Sequence, residues 1–120
     1  MSARAQLVAL LRAELDPKVW QVLPFERKLG DLRRPVVMVS TQRIEKGPAA
    51  GVWLATMRAL VVAPHEDFEA AEKLLEGGVL RVLDVFDRIE NVSLGAESVT
   101  VESKHHAYRV DLQITLPKGE

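Results

Sequence analysis

The run from His65 to Ile89, HEDFEAAEKLLEGGVLRVLDVFDRI, constrains the fold more than any other part of the chain. Phe68, Ala71, Leu75, Val79, Val82, Phe86 and Ile89 recur at spacings of three or four, which lines them along one face of an α-helix. Gly77 and Gly78 fall inside this run and cost about 1 kcal/mol each relative to alanine. The apolar spacing nevertheless passes through them in phase, so one kinked helix or two nearly collinear segments are expected. Glu66, Asp67 and Glu69 stand near its start, where free backbone N–H groups and the helix dipole favour negative charge. That role accounts for the acidic cluster before any catalytic one.

The segments on either side read as strands. Val36–Ile44 and Val52–Ala63 are rich in β-branched residues and flank the turn-forming EKGPAAG, so an antiparallel pair is expected. VVMV and LVV are apolar at successive positions, which predicts central strands buried on both faces over part of their length, under helices on one side and another subunit on the other. In the second strand Trp53, Ala55, Met57, Ala59 and Val61 share one face; Arg58 shows that the opposite face is not uniformly dry. Past the turn-like ENVSLGAES, Ser98–Ser103 forms a short strand and His106–Leu116 a long one. In the latter Tyr108, Val110, Leu112, Ile114 and Leu116 point to the buried face, and Arg109, Asp111, Gln113 and Thr115 to a wetter one.

At the start of the chain, Leu7, Leu10, Leu11 and Leu15 mark a helix over Ala3–Leu15, with Ser2 as its N-cap and Pro17 as its stop. Val19–Leu23 forms a short extended piece. Phe25–Pro35 is a surface loop anchored by Leu29 and Leu32, and Arg27, Lys28, Arg33 and Arg34 make it the most basic local stretch. The fold class is therefore α+β: a mainly antiparallel sheet packed with an N-terminal helix and a long central helix, in the order α-β-β-β-α-β-β, as one domain over residues 1–120.

Composition narrows the function classes. The 120 residues include no cysteine, which removes disulfides, thiolate metal sites and cysteine nucleophiles. No stretch has the character of a signal peptide or of a membrane span. A net charge of −1 gives no global attraction for nucleic acid, and the short basic patch lacks interleaved aromatics, so neither nucleic acid nor membrane is expected as a partner.

Candidate chemistry is sparse. His105 and His106 project to opposite faces of an extended strand, His106 with Tyr108 and His105 with Arg109, so they do not converge on one ion. His65 could approach either, yet no local spacing supplies the carboxylates a metal would need. There is no G-x-S-x-G elbow, no phosphate loop and no dinucleotide-binding glycine pattern, and Asp84, Asp87 and Glu90 read as a solvated helix face or as intersubunit partners. No catalytic residue, metal or cofactor is expected. What remains is asymmetry: a basic loop near Arg33, an acidic helix face around Glu69, Glu72 and Glu76, and apolar central strands, a combination that suits repeated subunits in a ring.

The succession of LVALLRAEL, VWQVLP, PVVMVSTQRIE, GVWLATMRALVVAP, DFEAAEKLLEGGVLRVLDVF and AYRVDLQITL resembles the tail-terminator, or tail-completion, proteins of long-tailed bacteriophages over most of the chain. The resemblance rests on the order and lengths of the elements. It implies an α+β subunit of a hexameric ring that caps the head-proximal end of the tail tube in the virion, stops tube polymerisation and presents the tail to the head connector. Its partners would be further copies of the chain, the tail-tube protein and the connector protein, met in the host cytoplasm during assembly. The loops Phe25–Arg34 and Lys46–Gly51 would then make contacts, with Arg33, Arg34 and Trp53 as interface candidates. Another connector or tail-tube subunit, a small ligand-binding regulatory module and, more remotely, an enzyme joining His65, His106 and a carboxylate are the alternatives.

Overall fold

The computed structural model describes residues 2–64 and 67–118. Its elements are α1 (Ala3–Glu14), β1 (Gln21–Leu23), β2 (Val36–Lys46), β3 (Val52–Val62), α2 (Phe68–Asp87), β4 (Ser93–Val101) and β5 (His105–Pro117), in the expected order. The strands form one sheet ordered β1-β2-β3-β5-β4, in which only the short β1–β2 pair is parallel. Both helices start on side-chain caps. Ser2 Oγ accepts the Ala5 N–H at 3.1 Å, and an Asp67 carboxylate oxygen accepts that of Ala70 at 3.1 Å, which satisfies backbone donors the helices cannot use.

The two helices cover one face of the sheet. Leu7 and Leu11 of α1 and Leu75, Val82 and Phe86 of α2 pack with Ala55, Met57 and Val61 of β3 and with Val110 and Leu112 of β5. The face assignments for β3 and for the middle of β5 hold. On α1 the buried row is Leu7, Leu11 and Leu15 widened by Val8, whereas Leu10, expected in the stripe, is 40% exposed. Phe68, expected on the seam of α2, is 61% exposed and meets the His106 ring edge-on at 4.8 Å between centroids.

The other face carries a second, smaller core of Val36, Met38, Val62 and Ala107, with Leu29 and Leu32 of the loop 24–35 packed against it. The central strands are expected to have cover on this side, and at one end of the sheet the chain's own loop supplies it, as a strap. Beyond the strap the face turns polar. Arg58 donates to Asp111 at 2.9 Å and to Gln42 at 3.2 Å, and Arg109 donates to Glu97 at 3.0 Å.

The strand expected at Ser98–Ser103 begins at Ser93, so SLGAES is not a turn but the first part of β4, paired with β5 from Ser93↔Gln113 to Val101↔His105. Its glycine and serines are poor strand formers, but an edge strand with one neighbour has little to pack on its outer side and tolerates them. α2 runs unbroken for 20 residues through both glycines. They differ in surroundings. A Cβ at Gly77 would meet nothing, whereas one at Gly78 would overlap Cζ2 and Cη2 of the Trp20 indole, which lies against the helix. Gly78 is thus required by close approach, and Gly77 is not. Gly77→Ala should raise stability by about 1 kcal/mol, whereas Gly78→Ala should lower it by about 1–3 kcal/mol and shift the Trp20 emission. Urea unfolding followed by fluorescence compares the two; equal effects would contradict the packing described for Trp20.

Candidate assembly surfaces

The strap is held at its middle by the turn between β4 and β5. Glu102 and Ser103, the two central residues of that turn, lie at φ 52° and 60°, the left-handed region that non-glycine residues avoid. This conformation turns the Glu102 carboxylate onto the strap, where its two oxygens accept the N–H groups of Leu29 at 2.7 Å and Gly30 at 3.3 Å. The bond from Leu29 does most to hold the Glu102 carboxyl below its ordinary pKa; desolvation opposes it, and the bond from Gly30 and the nearby His105 and Lys104 add to the lowering. Gly30 itself needs its φ of 57° to bend there. Lys104 Nζ reaches Asp31 at 3.5 Å, and at the near end of the strap Glu26 accepts from Ser40 Oγ at 2.9 Å and from Gln42 Nε2 at 3.2 Å.

The histidines do split between faces. His106 stands on the helix side against Phe68. His105, expected on the wetter face, is only 5% exposed, because the strap covers it. Its Nε2 lies 2.9 Å from the Gly30 carbonyl oxygen, which can only accept, so that nitrogen is the donor. His65, weighed as a partner for His106, lies outside the described residues. Tyr108 donates to Glu72 at 3.2 Å, and burial, then the Glu72 charge, pushes its phenol up.

The three residues named as interface candidates have different settings. Arg34 is committed within the chain: its guanidinium donates to the Pro17 carbonyl at 2.7 Å and to that of Val19 at 3.4 Å, closing the turn after α1. Arg33 is exposed on the strap. Trp53 is 42% exposed near the β2–β3 turn, with the Lys118 ammonium 4.5 Å from its ring centroid, a cation–π contact. The three do not converge on one site.

An apolar cleft of about 290 Å³ lies between the start of α1 and the helix side of the sheet, lined by Ala3, Thr41, Ile44, Ala55, Met57 and Leu116. Ser2 and Arg4 also line it, but the Ser2 hydroxyl is taken up in capping α1, which leaves Arg4 and Thr41 as its polar side chains. Among the described residues no group of three or more histidine, aspartate or glutamate side chains comes together to hold a metal, and no helix is long and apolar enough to cross a membrane.

Sequence reasoning did not find Glu102 and His105 as anchors of the strap. A polar residue in a tight turn has no local mark that distinguishes a solvated carboxylate from one receiving amides 73 and 72 positions away. No protein-family model matches the chain, and no curated protein matches it.

The Glu102 contact has a definite pH signature. A carboxyl with its folded pKa held below the unfolded value of about 4.5 adds stability that is fully present above that value and is lost as pH falls through the folded pKa. Glu14 behaves likewise, because the Arg88 guanidinium donates to it at 2.8 Å. Glu102→Gln should therefore flatten part of the fall in urea midpoint on acidification below about pH 4.5, and speed amide exchange at Leu29 and Gly30 at neutral pH. An unchanged acid slope with unchanged exchange would show that the strap is held by other contacts.

Proposed function

We propose that the chain is a structural subunit of a ring that caps the head-proximal end of a phage tail tube, ends its polymerisation and offers the surface to which the head is joined. The observation that carries this reading is the α-β-β-β-α-β-β order with 11-residue central strands, the order and proportions that the resemblance implies. The division of the surface supports it as well. Helices take one face of the sheet, while the opposite face presents the strap with exposed Arg27, Lys28 and Arg33 and a row of paired charges. Such a body holds contact loops in register, as a subunit docked between a tube and a connector requires. Six copies are the ring size that the resemblance implies.

The test is mass in solution together with negative-stain imaging of the protein incubated with cognate tail tubes. A ring mass and tubes that stop lengthening are expected. A persistent monomer without effect on tube length would sink the capping role, and rings that copolymerise along the tube would point to a tail-tube subunit. Arg33→Glu should weaken docking to the tube about tenfold, or ~1.4 kcal/mol, with the ring mass and circular dichroism unchanged. Arg34→Glu tests something else, since it removes the bonds to Pro17 and Val19.

A further inference from the structure

Among the described residues the sheet has two free edges. β4 pairs with β5 on one side only, and β2 beyond Met38 pairs only with β3, since β1 reaches no farther than Leu23↔Met38. Free edges offer unpaired N–H and C=O groups, and natural proteins usually guard them with proline, lysine or inward charge. β4 (SLGAESVTV) has none of these along nine residues apart from Glu97, which bonds Arg109. We propose that β4 of one copy pairs in antiparallel register with the Arg43–Lys46 edge of β2 in the next copy, so that the sheets of neighbouring subunits join. This rests on the ring reading.

Strand direction sets the geometry. From β2 through β3 and β5 to β4 every step is antiparallel, so β2 and β4 run in opposite directions. A second copy in the same orientation therefore brings its β2 antiparallel to β4. The contact uses a different edge on each partner, and copies that all face the same way close into a ring when the rotation closes.

Side-chain chemistry fixes the register. Glu97 stands opposite Arg109 on the strap side of the sheet; Arg43, opposite Thr56, stands on that same side of β2 and is 69% exposed. Placing Arg43 across from Glu97 puts Ile44 across from Ala96 on the helix side, and Glu45 across from Gly95 on the strap side. Ile44 is 58% exposed in the single chain and gains an apolar neighbour there. A Cβ at Gly95 would meet nothing within the chain, so the space beside it is open to the Glu45 side chain. The joint then carries Glu45, Arg43, Glu97 and Arg109 as a row of alternating charge, in which Arg43–Glu45 at 2.9 Å and Glu97–Arg109 at 3.0 Å already exist within each chain.

Because each copy contributes both edges, complementary variants make a stringent test. Arg43→Glu and Glu97→Arg place like charges across every joint of their own rings, and each alone should run at monomer mass. Mixed one to one they restore opposite charges at every joint of an alternating ring, so the mixture should recover the ring mass; this recovery also shows that both variants are folded. If the single variants assemble like the unaltered chain, or the mixture stays monomeric, the pairing is wrong while the ring reading stands. If the unaltered chain is itself monomeric, with or without tail tubes, both fall together. The absence of cysteine allows a second measurement. A variant carrying Glu45→Cys and Gly95→Cys brings its two thiols to paired strand positions, 4.5–5.5 Å apart at Cα, within disulfide range. Mild oxidation should give a covalent ladder ending at the ring number, with no ladder from either single variant; monomer alone from an assembled ring would overturn the register.

Discussion

Everything else in the structure depends on β3 being paired along both sides. Its partners run from Val36↔Val62 to Lys46↔Trp53 in β2 and from Val52↔Pro117 to Val62↔Ala107 in β5. A strand so placed satisfies its backbone completely but leaves both rows of side chains needing cover or water. On the helix side Ala55 and Ala59 alternate with Met57 and Val61, and the small residues leave room for Leu7, Leu11 and Phe86 to reach the sheet. On the other side one strand faces two solvents. At Val62 it is dry beneath the strap, and at Arg58 it is polar, with Asp111 as its partner. The position of the strap follows from this change of chemistry.

Keeping the strap in place involves a backbone cost. Two successive left-handed residues, Glu102 and Ser103, cost roughly 1–2 kcal/mol each, and neither is a residue type that usually fills such a turn. Charge-assisted bonds from Glu102 to the Leu29 and Gly30 amides and burial of Leu29, Leu32 and His105 offset it. A turn that is strained and bonded to a segment on another element fits a role in positioning that segment rather than a simple reversal of the chain. The basic side chains of Arg27, Lys28 and Arg33 thereby stand on a supported loop.

Element order, the faces of β3 and β5 and the apolar seam through α2 were legible, because periodicity and parity are local and survive in any tertiary setting; whether the two glycines break that helix was not, since it depends on Trp20 packing against Gly78. Ser2 was legible as a cap for the same reason. The start of β4 was not: Ser93, Gly95 and Ser98 carry the composition of a turn, and only the ladder supplied by β5 makes them a strand. The environment of His105 was not legible either. Its parity was right, but the burial of that face depends on Leu29 and Leu32, some seventy positions earlier, folding over it. Arg34 illustrates the same limit, since a charge counted as free surface is spent on two carbonyls of the turn after α1.

The short parallel strand β1 has a part in the proposed joint that its length conceals. It occupies the edge of β2 at Val36–Met38, and Glu26, just after it, bonds Ser40 and Gln42 on the strap side. A strand approaching β2 is therefore blocked along its first half and admitted only past the irregularity between Thr41 and Arg43. That bulge shifts the parity of β2, so a partner aligned with residues 43–46 would be out of phase with those before it. The joint is confined to a few residues with one register, which guards against the sliding that a long free edge permits. An edge that is half closed by its own chain recognises a copy of that chain without inviting indiscriminate sheet growth.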